Sequence, residues 1–220
     1  EIFYRTVDLG QDPKASFVMH NGIDFPQEMP LLKKTKLSQK LVINIGIIGR
    51  LYWDKNFADV IKSIKIINEI VAEQGLKQKF KLKIAGSGEE EDNLKKLVQD
   101  LALENQIEFL GWVANSDDFF KEIDIFCLPS LQETFGLVLL EAIKNCKPII
   151  ATKATGPSEI LRNNIDALLL DIEPRSELPR KFANKIIEVT QNDDISQKMI
   201  QSSYQRSLKH FSFIALKEKL

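Results

Sequence analysis

The chain has 220 residues, 44% hydrophobic and 28% charged, enough for a substantial core and without the polar bias that keeps a chain disordered. Thirty basic against 31 acidic side chains give a net charge of −1, so the broad basic footprint of a nucleic-acid binder is absent and nucleic acid is not an expected partner. Two cysteines and two histidines, with no companions at metal-ligand spacing, argue against a disulfide framework and a zinc site; no run of 18 apolar residues spans a membrane.

The chain begins at Glu1 without an initiator methionine, and residues 1–15 read as a remnant of an interdomain or preceding region. SFVMH (16–20) reads as a strand opening the main domain, residues 16–210. From residue 41 onward β-branched runs alternate with helical patterns. Strands are predicted at LVINIGIIG (41–49), FKLKIAG (80–86), IEFLG (107–111), IDIFCLP (123–129), KPIIAT (147–152) and ALLL (167–170). Successive strand–helix units of this kind predict an α/β, Rossmann-like three-layer domain with a central parallel sheet of about six strands flanked by helices.

Between the first two strands of that sheet, Phe57, Val60, Ile61, Ile64, Ile67 and Ile70 share one helical face, with Asn56 and Asp59 as caps and Gly75 as the stop. EEEDNLKKLVQDLAL (89–103) is a second amphipathic helix and NSDDFFKEI (115–123) a short third. Further helices are predicted at 176–190 and 193–209, and residues 211–220 start one more. Cys127, inside a strand, and Cys146, after a helix, read as core or cap residues of a protein from a reducing compartment.

The carboxyl ends of parallel strands line the ligand crevice in such folds, and Gly22, Gly49, Gly86, Gly88, Gly111, Gly136 and Gly156 fall at predicted element ends. Any helix start can attract an anion. The helix after AGSG opens with Glu89, Glu90, Glu91 and Asp92, which already satisfy its dipole and repel a diphosphate. The helix starting near Gly136 carries no charge in its first turn, and Gly136 permits close backbone approach. Arg50 and Lys55, at the end of the first central strand, can converge on one diphosphate there. In QETFGLVLLEA (132–142), Glu141 falls in the second helical turn among apolar neighbours. A carboxylate so placed needs partners, either a protein cation or two hydroxyls of a ligand such as a ribose diol. Glu133 precedes the glycine and belongs to the loop.

A dinucleotide-binding reading of NIGIIG (44–49), with Glu69 as the ribose acid, competes with this. It fails on position: Asn44 and Gly46 sit inside the strand, RLYWDK intervenes before the helix, and Glu69 lies late in that helix.

Taken in order, FVMHNGID, IGRLYWDKN, LKIAGSGEE, IEFLGWV and the Glu133-to-Glu141 stretch resemble the C-terminal, nucleotide-sugar-binding half of retaining glycosyltransferases of the GT-B fold, family 4 (glycosyltransferase group 1). The resemblance covers residues 16–220. It implies transfer of a sugar from a nucleoside-diphosphate sugar, UDP-linked first and GDP-linked second, to a glycan or lipid-linked acceptor, with no cofactor and no metal. Glu141 would hold the donor ribose. Glu133 and the backbone of Phe135, Gly136 and Leu137 would contact the sugar and distal phosphate. Arg50 and Lys55 would neutralise the diphosphate, and Gly111, Trp112 and Val113 would border the base; Gly49 and Gly86 fall at the same strand ends. Glu133, Arg50 and Lys55 would carry catalysis.

The sequence departs from that pattern where Asn56, Thr134, Cys146, Thr155 and Ala167 replace frequent glycines, and Thr134, beside the sugar, bears on donor choice. The family's N-terminal, acceptor-binding domain has no counterpart here. The expectation is therefore a donor-binding half, inactive alone, with residues 211–220 crossing toward that missing domain. The resemblance further implies a cytoplasmic location, peripheral at the membrane only through the full-length enzyme. A non-catalytic nucleotide-sugar-binding module and a GT-B nucleotide-sugar epimerase remain as alternatives.

Overall fold

The computed structural model describes residues 20–30 and 36–218. The segment 1–15 and all but His20 of the strand expected at 16–20 lie outside the described residues.

Six strands form one parallel sheet: β1 (Val42–Ile48), β2 (Lys79–Ala85), β3 (Ile107–Gly111), β4 (Ile125–Leu128), β5 (Ile149–Thr152) and β6 (Leu168–Leu170), in the order β3-β2-β1-β4-β5-β6. Each strand lies within or one residue beyond its predicted run. The helices are α1 (Phe57–Gln74), α2 (Glu91–Asp100), α3 (Ser116–Glu122), α4 (Leu137–Lys144), α5 (Thr155–Ile160), α6 (Leu178–Gln191), α7 (Asp193–Phe211) and α8 (Phe213–Lys217). Helix α5 has no counterpart among the predicted elements. Its six residues include Gly156 and Pro157, both poor helix formers, so no periodic signal marks it.

Period-two alternation along buried strands divides the core into two layers. Ile43, Ile45, Ile47, Ile125 and Cys127 face the layer made by α1, α2 and α6. Phe126, Leu128, Ile149 and Ala151 face the layer made by α3, α4 and the end of α7. Both cysteines are buried, in line with their reading as core residues, and burial pushes the Cys146 thiol up to about 11. Gly46 is buried within β1 against Phe119 and Ile123, which removes it from any phosphate-binding turn.

Asn56 is the N-cap residue of α1, as expected, but without a side-chain cap. Asn56 precedes α1 at φ 52°, and its side chain caps no backbone N–H; its Nδ2 donates to Asp59 Oδ2 at 2.8 Å. Cys146 also sits at φ 53°. Two of the positions where glycine was expected are thus left-handed turns occupied by larger residues, which accounts for the preference without touching the site.

After α7, Ile23 pairs with Ser212, tying the segment around residue 23 to the start of α8. On α8, Leu216 is buried while Phe213 and Ile214 remain exposed.

Candidate active site at the β1/β4 switch point

The strand order reverses direction at β1 and β4, so the loops that follow them diverge and open a crevice at their carboxyl ends. That crevice holds a cleft of about 530 Å³, within the usual range for small-molecule sites. Its walls come from the β1 end (Gly49, Arg50, Lys55), the β2 end (Gly86, Ser87), the β3 end (Trp112, Val113), the loop after β4 (Ser130, Glu133) and α4 (Val138, Glu141).

Eight of the residues singled out in the sequence therefore meet here: Gly49, Arg50, Lys55, Gly86, Trp112, Val113, Glu133 and Glu141. Gly111, Thr134, Phe135, Gly136 and Leu137 do not line the cleft. Gly111 ends β3 behind Trp112, Thr134 and Leu137 are exposed, and Gly136 is the residue from which α4 starts. The Phe135 ring turns away to pack at 6.1 Å from His20 and 5.9 Å from Phe211, anchoring the loop from behind.

Close backbone approaches shape the floor. A Cβ on Gly86 would fall 1.8 Å from the Gly49 carbonyl oxygen, so only glycine lets the β1 and β2 ends meet. The Gly156 N–H donates to the Glu133 carbonyl at 2.8 Å, and a Cβ there would fall 2.4 Å from the Phe135 oxygen. Helix α5 thereby fixes the 133–135 loop from outside.

The charges are arranged unevenly. Lys55 Nζ donates to Glu133 Oε2 at 2.9 Å, and both side chains are largely buried. The Leu131 N–H donates to the Asp54 carbonyl at 2.7 Å, a second tie between the same two loops. The Arg50 guanidinium stacks 5.5 Å from the Tyr52 ring centroid and has no acidic partner among the described residues. No side chain caps the start of α4, and its first turn holds no acid, whereas α2 starts with Glu91 and Asp92. The contrast in first-turn charge expected between those two helix starts is present.

Glu141 lies in the second turn of α4, between buried Leu140 and Ala142, and is itself half-buried. Its carboxylate has no hydrogen-bond or ion-pair partner among the described residues; the structural alternative of a protein Lys or Arg is not realised. A second polar group in the cleft was not anticipated. Ser130 is fully buried, its carbonyl accepts from Thr152 Oγ1, and its own Oγ has no partner among the described residues. Such orphan groups are uncommon in interiors. Only its place directly after the apolar β4 run could have signalled Ser130.

A family model described as "Glycosyl transferases group 1" matches residues 31–206. The chain belongs to this family. Among its curated relatives within the glycosyltransferases is the UDP-Gal:alpha-D-GlcNAc-diphosphoundecaprenol alpha-1,3-galactosyltransferase of Escherichia coli, 27% identical over 97% of this chain and 54% of that protein. The N-acetyl-alpha-D-glucosaminyl L-malate synthase of Bacillus anthracis is 28% identical over 89% of this chain and 49% of its own length. The chain spans about half the length of these curated relatives. In fold it is similar to Anabaena HepE, solved in complex with UDP and glucose, with a TM-score of 0.76 over 99% of this chain and 59% of that one at 19% identity.

Proposed function

We propose that this glycosyltransferase domain binds a nucleoside-diphosphate sugar, a UDP-sugar in preference to a GDP-sugar, and serves a transfer that retains the anomeric configuration. The observation that carries the reading is the half-buried Glu141 carboxylate, without a partner among the described residues, in the same cleft as Arg50 and the Lys55–Glu133 pair. In this reading Glu141 accepts hydrogen bonds from the donor ribose, Trp112 and Val113 border the base, and the diphosphate lies against Arg50, Lys55 and the uncapped start of α4.

As the bond from the anomeric carbon to the diphosphate breaks, negative charge grows on the leaving phosphate. Arg50 and Lys55, already in place, stabilise that charge, and loss of one such group costs on the order of 10²–10³ in rate. Lys55 passes from Glu133 toward the phosphate, which frees the Glu133 carboxylate for the sugar hydroxyls. Attack from the face that the leaving group departs lets the phosphate take the acceptor proton, so no separate base is required. The acceptor is a glycan or lipid-linked glycan bound mainly by a second domain, and this chain alone transfers sugar poorly. That the chain spans about half the length of these relatives supports the division, and the diphosphoundecaprenol-linked acceptor named for the Escherichia coli relative supports the acceptor class.

Calorimetric titration with UDP, GDP, ADP and NADH tests the reading. UDP binds most tightly if it holds; binding of NADH alone, or of no nucleotide, overturns it.

A further inference from the structure

A second cavity, of about 710 Å³, lies at the opposite, amino-terminal edge of the sheet. Its lining includes Lys36 and Lys40 before β1, Lys121 at the end of α3, Lys144 at the end of α4, and Lys147 before β5. Five lysines face two aspartates, Asp124 and Asp193, in a chain whose net charge is −1.

Partners are unequally shared among these lysines. Lys121 donates to Asp118 and Lys144 to Asp117, and a cation in the last turn of a helix is an ordinary complement to its dipole. Asp124 is fully used: Oδ1 takes Lys40 and Oδ2 takes the Asn44 N–H at 3.0 Å. Asp193 accepts from the Ser38 N–H and hydroxyl. That leaves Lys36 without a carboxylate among the described residues, and leaves Lys147 donating only to the Ile123 carbonyl at 2.9 Å. Burial pulls the Lys147 ammonium below its usual pKa, and the neighbouring Lys40 adds to that effect while Asp124 opposes it.

A half-buried ammonium beside a second one, with only a neutral carbonyl to bond, is a costly arrangement unless an anion completes it. The cavity is concave, is large enough for a phosphorylated small molecule, and opens away from the donor cleft. We propose that this cavity is an anion site that takes a phosphate group, held between Lys147 and Lys40 with Lys36 and Lys144 at its rim. Several ammonium groups around one space suit a phosphate, which offers charge-assisted bonds in several directions. The phosphate can come from a free phosphorylated metabolite or from a lipid headgroup, which present the same chemistry to these lysines.

The test is run with and without saturating UDP; Lys147 and Lys36 lie in a cavity whose lining shares no residue with the donor cleft, so a loss confined to their variants is read whether or not that cleft takes UDP. Inorganic pyrophosphate is titrated into wild type, Lys147→Gln and Lys36→Ala, with binding followed by calorimetry and by amide shifts at Cys146 and Lys147. In parallel, the same proteins are mixed with vesicles of phosphatidylglycerol in phosphatidylcholine and sedimented. Lys36 is exposed, so its substitution leaves the fold intact and keeps the test valid should Lys147→Gln unfold. Pyrophosphate binding that falls about tenfold or more in Lys147→Gln, and less in Lys36→Ala, supports a soluble phosphate ligand. Vesicle binding lost in the same variants, without pyrophosphate binding, supports a headgroup. Absence of both, or binding that neither variant weakens, overturns the proposal.

Discussion

Lys55 Nζ lies 2.9 Å from Glu133 Oε2, across 78 residues of sequence and across the point where the strand order reverses. The pair joins the loop after β1 to the loop after β4 and, in the proposed donor complex, sets the net charge that the diphosphate meets. Arg50 and Lys55 supply two positive charges and Glu133 subtracts one.

Removing the cation leaves a largely buried carboxylate facing the diphosphate, and hydrogen bonds to charged groups contribute about 1.5–3 kcal/mol. Lys55→Met therefore lowers UDP affinity about tenfold or more. Lys55→Met combined with Glu133→Gln recovers part of that loss, because the repulsion goes with the carboxylate. Titration of the two single variants and the double variant measures the coupling; strictly additive losses contradict it.

Trp112 is 80% exposed at the cleft rim, so its ring contributes little to folding. Trp112→Ala shifts stability by no more than about 0.5 kcal/mol. It weakens UDP binding by about 1–3 kcal/mol if the ring stacks on the base. A thermal melt and a titration of one preparation separate the two effects.

At Gly86, φ is +132° and an added Cβ would lie 1.8 Å from the Gly49 oxygen. Gly86→Ala forces the β1 and β2 ends apart and costs about 3 kcal/mol or more, at the severe end for single substitutions. Denaturant unfolding reads this directly.

Asp166 provides a pH test of the scaffold. Burial alone would raise its carboxyl, but hydrogen bonds from Arg162 and Ser202 outweigh that and hold it below the ordinary carboxylate value. A depressed folded pKa contributes stability that is complete above the unfolded value, about 3.9, and is lost as pH falls through the folded one. Asp166→Asn lacks this contribution at every pH. The difference in Tm between wild type and variant is therefore constant from about pH 8 to pH 5 and narrows toward pH 2.

The sheet was legible because each buried strand is a short β-branched run bounded by glycine, proline or polar residues. The glutamate pair was legible from its place around Gly136, and the anionless start of α4 from its missing charges. Three features depend on distant parts of the chain. The Lys55–Glu133 bond spans 78 residues, and Ser130 becomes an orphan only once β4 and β5 enclose it. Helix α5 is held through the Glu133 carbonyl and Gly156 rather than by any propensity of its own six residues. Asn56 is legible as the N-cap residue of α1, but the direction of its side chain is not: the turn geometry sends its amide to Asp59 instead of a backbone N–H.

The central claim is that the Glu141 carboxylate waits for the hydroxyls of a nucleotide ribose. The most direct measurement is the affinity of wild type and Glu141→Ala for UDP and for 2′-deoxy- and 3′-deoxy-UDP. Wild type is predicted to lose about tenfold with at least one deoxy analogue, and Glu141→Ala to bind UDP about as weakly and to distinguish the analogues little. Unchanged UDP affinity in Glu141→Ala, or a deoxy penalty that survives the substitution in full, would contradict the account.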